Sequence, residues 1–378
     1  MTGWNAFVLL TYVGAGAFAA LWLRALGLPL GAALVGGLAF ALAPYRSLQT
    51  AGGHLLGPVS MLLPLALWAL ERRRTWVAAL ALASIPLSGQ VHLALGAIGL
   101  VLVYAAVRRR TLAGALAAAA SVAAGLVVYA VAIRGTVGAG GRDFAQVERY
   151  SADPADFVAR HARHGFETFV FLGWLVPTLA AAGLVVLWRR DRGLTAALGL
   201  AALVPIVFAL GANTPLYEPL WRAVPGLKNT RVPERLLPVA CLALAALAAV
   251  AVARAPWRWA ALAALPLVAL DLRVAAYRPL GADEDNPVYA DLAKAPPGRV
   301  LEEPVYLPDR QEASVYLYYA MQAPRERPLG YSTTAPPEAD ALSRRARRAG
   351  RERLLTELGV RYLVVFRSGR PALLRRLG

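Results

Sequence analysis

The sequence predicts an α-helical polytopic membrane protein of about 10 transmembrane helices with a small C-terminal extracytoplasmic α/β domain. Three observations carry that expectation. The 378-residue chain is 58% hydrophobic and only 17% charged, with a mean hydropathy of +0.50, too apolar for an ordinary soluble protein. Apolar runs near membrane-spanning length recur, separated by short clusters of arginine. After Asp271 the apolar runs stop and the composition turns mixed. The formal net charge of +17 would suit a nucleic-acid binder, but the arginines punctuate apolar runs instead of forming a basic stripe. Membrane lipids are therefore expected partners, and nucleic acid is not.

A straight transmembrane helix needs roughly 20 apolar residues. On that rule spans fall near 5–23, 28–44, 55–70, 76–88, 91–107, 111–133, 167–188, 194–211, 236–253 and 257–272. The pair 76–88 and 91–107 is interrupted at Ser88-Gly89-Gln90, and the first member is short, so a re-entrant hairpin buried in protein is an alternative.

Arginine placement sets the expected orientation. Tight, almost acid-free turns carry Arg24, Arg72 to Arg74, Arg108 to Arg110, Arg189, Arg190, Arg192, Arg254 and Arg258. The alternate loops dilute their basic residues over longer, acid-containing segments. Placing the tight turns in the cytoplasm puts the first residue and everything after 272 outside. No signal peptide is recognisable, and one further helix ahead of Met1 would restore an N-in start. The chain then divides into a transmembrane domain, 1–272, and an extracytoplasmic domain, 273–378, joined by a Pro-, Gly- and acid-rich linker over 277–287. In the second domain, 299–306 reads as a strand, 335–358 as a helix opened by Pro336-Pro337, and 360–366 as a β-branched strand.

Several chemistries lack sequence support. The single cysteine, Cys241, sits in an apolar run and permits no intramolecular disulfide. There is no Gly-rich nucleotide loop and no HExxH. His161 and His164 have i, i+3 spacing, but a zinc site needs further ligands. No motif demands a metal or another cofactor, although a divalent cation stays open.

The candidate site residues lie at the outer mouths of the spans. In 227–238, LKNTRVPERLLP, Arg231 and Arg235 are four apart at a helix entry, where they can share a face. Arg is a planar fork suited to phosphate, and Glu234 between them would orient the guanidiniums. Snorkelling to the interface is the plain alternative. Arg46, beside Tyr45 after the second span, and His54 before the third point to the same mouth, as anchors or as substrate contacts. Gln90 and His92 interrupt an apolar pair, and read as a functional polar pair or as a helix–helix hydrogen bond. The first long outer loop and its edge hold Asp143, Glu148, Asp153, Asp156 and Glu167. A carboxylate there could act as a general base if it reaches the proton it removes.

The order of several stretches resembles a known family: NAFVLLTYVGAGAFAALWLRALGLP, LAFALAPYR, GHL, LALWALERRR, ERYSADPADFVARH, GFETFVFLGWLVPTLAAAGLV, LGANTPLYEPLW, VPGLKNTRVPERLLPVACLALAALA, RVLEEPVY and ELGVRYLVVF. Together they are similar to bacterial polytopic membrane glycosyltransferases of the GT-C superfamily. The resemblance implies a bacterial plasma-membrane enzyme that takes a sugar from a polyprenyl-phosphate donor to an extracytoplasmic glycan, lipid or protein acceptor. It also implies a catalytic acid in an outer loop between the family's first two helices. Span 5–23 looks like the second of these, so that acid is expected to be missing, which implies a truncated member, a pseudoenzyme, or an enzyme using another acid such as Asp143 or Glu148. By the same resemblance Arg231 and Arg235 would hold the phosphate, with Arg46 and His54 assisting. A non-catalytic transporter or flippase for lipid-linked glycans, or a scaffold, is the alternative.

Overall fold

The structure is a computed structural model, and it describes all residues except 1, 137, 138, 140–142, 162, 164, 165, 225, 226, 258, 275–282, 284, 333, 349 and 378. Two compact units are present, one formed by 1–128 with 142–277 and the other by 129–141 with 278–378.

The first unit is helical. Its helices are α1 (Thr2–Ala25), α2 (Leu30–Ala41), α3 (Pro44–Ala51), α4 (Leu56–Val59), α5 (Leu62–Glu71), α6 (Thr75–Leu87), α7 (Val91–Val107) and α8 (Thr111–Val128), which runs on into a π-helical turn at Tyr129–Ile133. Then follow α9 (Phe144–Arg149), α10 (Leu175–Trp188), α11 (Arg192–Ala209), α12 (Tyr217–Ala223), α13 (Leu237–Arg254) and α14 (Ala260–Asp271).

Among the described residues, four helices are long and apolar enough to cross a membrane: Gly3–Ala25, Thr111–Ile133, Arg192–Ala209 and Pro233–Arg254. A fifth arises if α2 and α3, bent by 42° at their junction, form one broken span. The other expected spans correspond to shorter apolar helices, so a count of about ten depends on whether those also cross. Their shortness has local causes. The run 167–188 becomes α-helical only at Leu175. Gly173 before it has φ +87°, and the Asp271 carboxylate accepts hydrogen bonds from the amides of Trp174, Leu175 and Val176 at 2.8–3.3 Å. Asp271 thus satisfies the orphan donors that would otherwise make this helix start costly to bury. The 87–90 break holds as a turn separating α6 from α7, with Gly89 at φ +82°.

Helix α13 is the axis of the unit. It packs against α10, α11 and α2, and 78% of the 18-residue window taken from Pro233–Arg254 is buried. Its alanine-rich sequence allows neighbours to approach closely, as small residues do in membrane bundles. A Cβ at Gly183 on α10 would fall 1.9 Å from the Leu247 carbonyl oxygen of α13. Cys241 is buried in the same helix. Outward faces are apolar: Leu9 and Leu10 on α1 and Leu112 and Leu126 on α8 are each more than 60% exposed, a surface suited to lipid.

Polar contacts gather the tight arginine turns at one end. Arg108 forms a two-pronged ion pair with Glu71 at 2.7 and 3.0 Å. Tyr104 donates to the same carboxylate at 2.7 Å, and Trp22 donates to Tyr104 at 2.8 Å. Arg108 also lies 3.8 Å from Asp191. The ends of α5, α7 and α10 are therefore joined there.

The second unit is a small α/β fold. Helices α15 (Pro287–Lys294), α16 (Ser314–Ala320), α17 (Pro337–Ala346) and α18 (Glu352–Glu357) accompany strands β1 (Arg299–Glu303), β2 (Val360–Arg367) and β3 (Arg370–Arg376). The sheet order is β1-β2-β3, parallel for the first pair and antiparallel for the second. The expected strand 299–306 is shorter, because Pro304 follows Glu303. The expected helix 335–358 divides in two around Arg347 to Arg351, a stretch of adjacent arginines and glycine with little apolar surface to bury. Strand β3 had no counterpart in the sequence reading. Its hairpin is made by Ser368 and Gly369, at φ +49° and +78°, the conformation of a two-residue hairpin turn that matches strand twist. Most of the 277–287 linker lies outside the described residues.

Candidate functional site

At the opposite end from the arginine turns, three chain segments bring polar groups into the mouth of α13. The first is α3 with the turn after it. Pro44 stands at the start of α3, fixing its entry angle, and this presents Tyr45 and Gln49 inward, both fully buried. The second is the helical turn Phe166–Thr168, which carries Glu167. The third is the turn Pro233–Leu236 leading into α13, which carries Glu234 and Arg235.

Packing in the loops holds the third segment in place. Val147, Tyr217, Trp221 and Leu227 form a small apolar core, with the Phe144 and Trp221 rings 5.3 Å apart. The Tyr217 hydroxyl meets Thr230 Oγ1 at 3.0 Å, and Trp221 Nε1 donates to the Thr230 carbonyl at 3.1 Å. The residue just before Arg231 is thereby fixed from two sides.

The site is organised around one cation and two acids. Arg235 Nη2 lies 3.4 Å from Glu167 Oε1. Both Glu234 oxygens are buried without a hydrogen-bond partner among the described residues, and so are Glu167 Oε2, Arg235 Nε, Tyr45 Oη and Gln49 Nε2. The charges of Glu234, Arg235 and Glu167 all act on the Tyr45 hydroxyl, and those of Glu167, Arg235 and Arg231 act on His54. His54 Nδ1 meets Gln49 Oε1 at 2.6 Å. With Nδ1 as donor, Nε2 is the basic nitrogen. Burial pushes His54 below the ordinary imidazole range, with Glu167 opposing and the two arginines adding to the shift, so the ring is neutral near pH 7.

Unpartnered buried carboxylate oxygens are costly. Among apolar helices, such a cluster is a candidate functional position. The arrangement offers two acceptors for a proton, a cation for an anionic group, and hydroxyl, amide and imidazole groups for orientation. Among the described residues, no group of three or more His, Cys, Asp or Glu side chains is placed to hold a metal ion.

The sequence-predicted residues separate accordingly. Arg235, Glu234 and His54 come together. Arg231 reaches the same neighbourhood, but its guanidinium lies 5.9 Å from the Tyr150 ring centroid, whereas Arg235 turns to Glu167. The expected common helix face does not form. Val232 is extended at φ −124° and ψ 96°, and a short 3-10 turn follows, so the four-residue spacing has no α-helical meaning there. Glu234 makes no hydrogen bond to either guanidinium, contrary to the orienting role expected of it.

Arg46 differs most from expectation. It is 1% exposed and donates to the carbonyls of Phe40, Ala41 and Gly57 and to Ser60 Oγ, at 2.5–3.2 Å. Its guanidinium also lies 4.9 Å from the Phe40 ring centroid. It closes the C-terminal end of α2 onto the start of α4, where a cation suits the orphan carbonyls.

Asp143 and Glu148 are exposed. Asp143 caps α9, accepting from the Ala145 amide at 3.2 Å. The carboxylates buried at the mouth of α13 are instead Glu167, which stood in the list of loop acids, and Glu234, which was assigned to orientation. Asp156, from the same list, is buried as well but accepts from the Asp153 amide at 2.8 Å and lies 3.6 Å from Arg163. Gln90 and His92 are half-buried at the start of α7, and Gln90 makes no side-chain cap there. His161 is exposed, and His164 lies outside the described residues. No family model, curated protein or solved structure matched this chain when compared with it.

Proposed function

We propose that the chain is a multi-pass membrane glycosyltransferase of GT-C type, acting at the outer face of a bacterial plasma membrane. It would move a sugar from a polyprenyl-phosphate donor to an extracytoplasmic glycan, lipid or protein acceptor. On this reading the shorter apolar helices also lie in the membrane, which brings the spans to about ten, and the C-terminal unit is extracytoplasmic. The observation that carries the reading is the buried group of Glu167, Glu234 and Arg235 at the mouth of α13, beside Tyr45, Gln49 and His54.

Glycosyl transfer needs what this group offers. A carboxylate takes the proton from the acceptor hydroxyl. The freed oxygen attacks the anomeric carbon, and the bond from that carbon to the phosphate oxygen breaks. The electron pair leaves with the phosphate, whose charge a preorganised guanidinium stabilises. Glu234, with both oxygens unpartnered, is assigned the base. Glu167 holds Arg235, and Arg235 with Arg231 receives the phosphate. His54 and Gln49 orient the acceptor.

The test is transfer of labelled sugar from a polyprenyl-phosphate donor by the purified full chain. Glu234→Gln should lower kcat by about 10²-fold or more, the usual contribution of a general base. Arg235→Ala should raise KM for the donor. Absence of transfer to any acceptor class by the wild-type chain would favour a non-catalytic transporter or scaffold. Full turnover by Glu234→Gln would remove the base assignment.

A further inference from the structure

The end of the first unit that carries the arginine turns holds a cavity of about 410 Å³, within the size range of roughly 300–1,000 Å³ typical of ligand pockets. It lies among the α1–α2 turn, the end of α10, the start of α11 and the last turns of α13. It is distinct from the site at the mouth of α13.

The walls and the rim differ in chemistry. Leu26, Leu28, Leu187, Leu194, Leu198 and Val250 make an apolar slot. The rim carries three guanidiniums, Arg108, Arg190 and Arg254, against one carboxylate, Asp191. Two of these four are already engaged. Arg108 is held by Glu71. Asp191 accepts from the Leu194 amide at 2.8 Å and lies 3.8 Å from Arg108. Arg190 and Arg254 are exposed and have no acid within ion-pair range among the described residues.

An apolar slot opening at two uncommitted guanidiniums, at the ends of membrane-length helices, matches an anionic amphiphile. We propose that this cavity is a binding site for an anionic phospholipid. Its phosphate is held by Arg190 and Arg254, and the first acyl carbons enter the slot. The arginine fork suits phosphate oxygens, and basic pockets between membrane helices near the interface are suited to anionic head groups. The excess of positive charge disfavours a head group carrying its own cation. Beyond the cavity, exposed Val185 on α10 and Leu200 and Leu203 on α11 offer apolar surface to the rest of the chains.

The experiment titrates the purified full chain, in an uncharged detergent, with phosphatidylglycerol, phosphatidylcholine or inorganic phosphate. Bound lipid is counted by native mass spectrometry. Phosphatidylglycerol should bind at least about tenfold more tightly than phosphatidylcholine, a difference within reach of two charge-assisted contacts. Arg190→Ala/Arg254→Ala should erase that preference. Arg72→Ala/Arg73→Ala, in another arginine turn, should retain it, which separates a built site from general surface charge. Leu198→Trp, which fills the slot, should lower phosphatidylglycerol binding at least fivefold. Equal binding of the two lipids, an unchanged preference in the Arg190/Arg254 variant, or equal loss in both double variants would overturn the proposal. Displacement of the lipid by inorganic phosphate at equal concentration would show that a free anion, not a phospholipid, is the ligand. None of these readouts depends on glycosyl transfer.

Discussion

Arg235 Nη2 stands 3.4 Å from Glu167 Oε1, while the neighbouring Glu234 is fully buried with both oxygens unpartnered. One cation therefore serves two buried acids drawn from segments nearly seventy residues apart. Removing it leaves both carboxylates uncompensated. Arg235→Ala should destabilise the first unit by about 3 kcal/mol, in line with breaking a buried pair from one side. Adding Glu167→Gln should recover part of that loss, because one of the two uncompensated carboxylates is removed while Glu234 stays. Thermal unfolding of the two variants in detergent measures both effects, and equal midpoints would contradict the coupling.

Arg46 should behave as a structural residue. Arg46→Ala leaves the Phe40 and Ala41 carbonyls without their side-chain donor in a buried position, a loss on the order of 3 kcal/mol. Arg46→Lys should recover only part of it, since an ammonium cannot reproduce the fork. If the purified Arg46→Lys protein transfers sugar, its KM for the donor should match wild type. A selective rise in KM would return Arg46 to the substrate site.

His54 gives the mouth of α13 a pH dependence with a definite sign. Burial holds its folded pKa below the unfolded value. Its contribution is therefore fully present above the unfolded imidazole value of about 6.5 and is lost as pH falls through the folded value. The thermal midpoint of the wild-type chain should fall between pH 7 and pH 5. His54→Gln, which cannot titrate, should fall less over the same range.

In the second unit, Tyr289 Oη donates to Glu302 Oε1 at 3.0 Å and Arg327 Nε donates to the same oxygen at 2.8 Å. Burial raises the Glu302 carboxyl above its ordinary range, with Arg327 opposing. A raised folded value means that its stabilising contribution is present below the unfolded value and lost as pH rises through the folded one. Arg327→Ala should cost roughly 3–5 kcal/mol at pH 8 and less as the pH is lowered, because protonation of Glu302 relieves the charge left without its partner. Limited proteolysis of the full chain, mapped to 287–377, reads this difference.

Gly183 tests the packing of the central helix. A Cβ there would fall 1.9 Å from the Leu247 carbonyl oxygen. Gly183→Ala must move the α10 or α13 backbone, and should destabilise by about 1–3 kcal/mol as an overpacked position. A thermal midpoint equal to wild type would show that the two helices separate without penalty.

The sequence by itself determined the helical, apolar character of the first unit, the start of a different composition after Asp271, and strand β2. Hydrophobic run length and β-branched content are local properties, and they act before any contact is made. It also marked 227–238 as the entry to a long apolar run, and the structure makes that run the most buried of the four membrane-length helices among the described residues. The third strand was not read: its Ser-Gly turn is a hairpin signal, but the arginines of β3 masked the alternation. Tertiary structure alone decided what each charge does. Arg46 and Arg235 are the same residue type at similar helix entries. One meets the orphan carbonyls of a helix end, and the other meets two buried acids. Which carboxylates are buried was equally out of reach, since Asp143 and Glu167 belong to the same list of loop acids. Burial and pairing depend on segments far apart in the chain converging, and the energy of a charge depends on its surroundings far more than on its spacing.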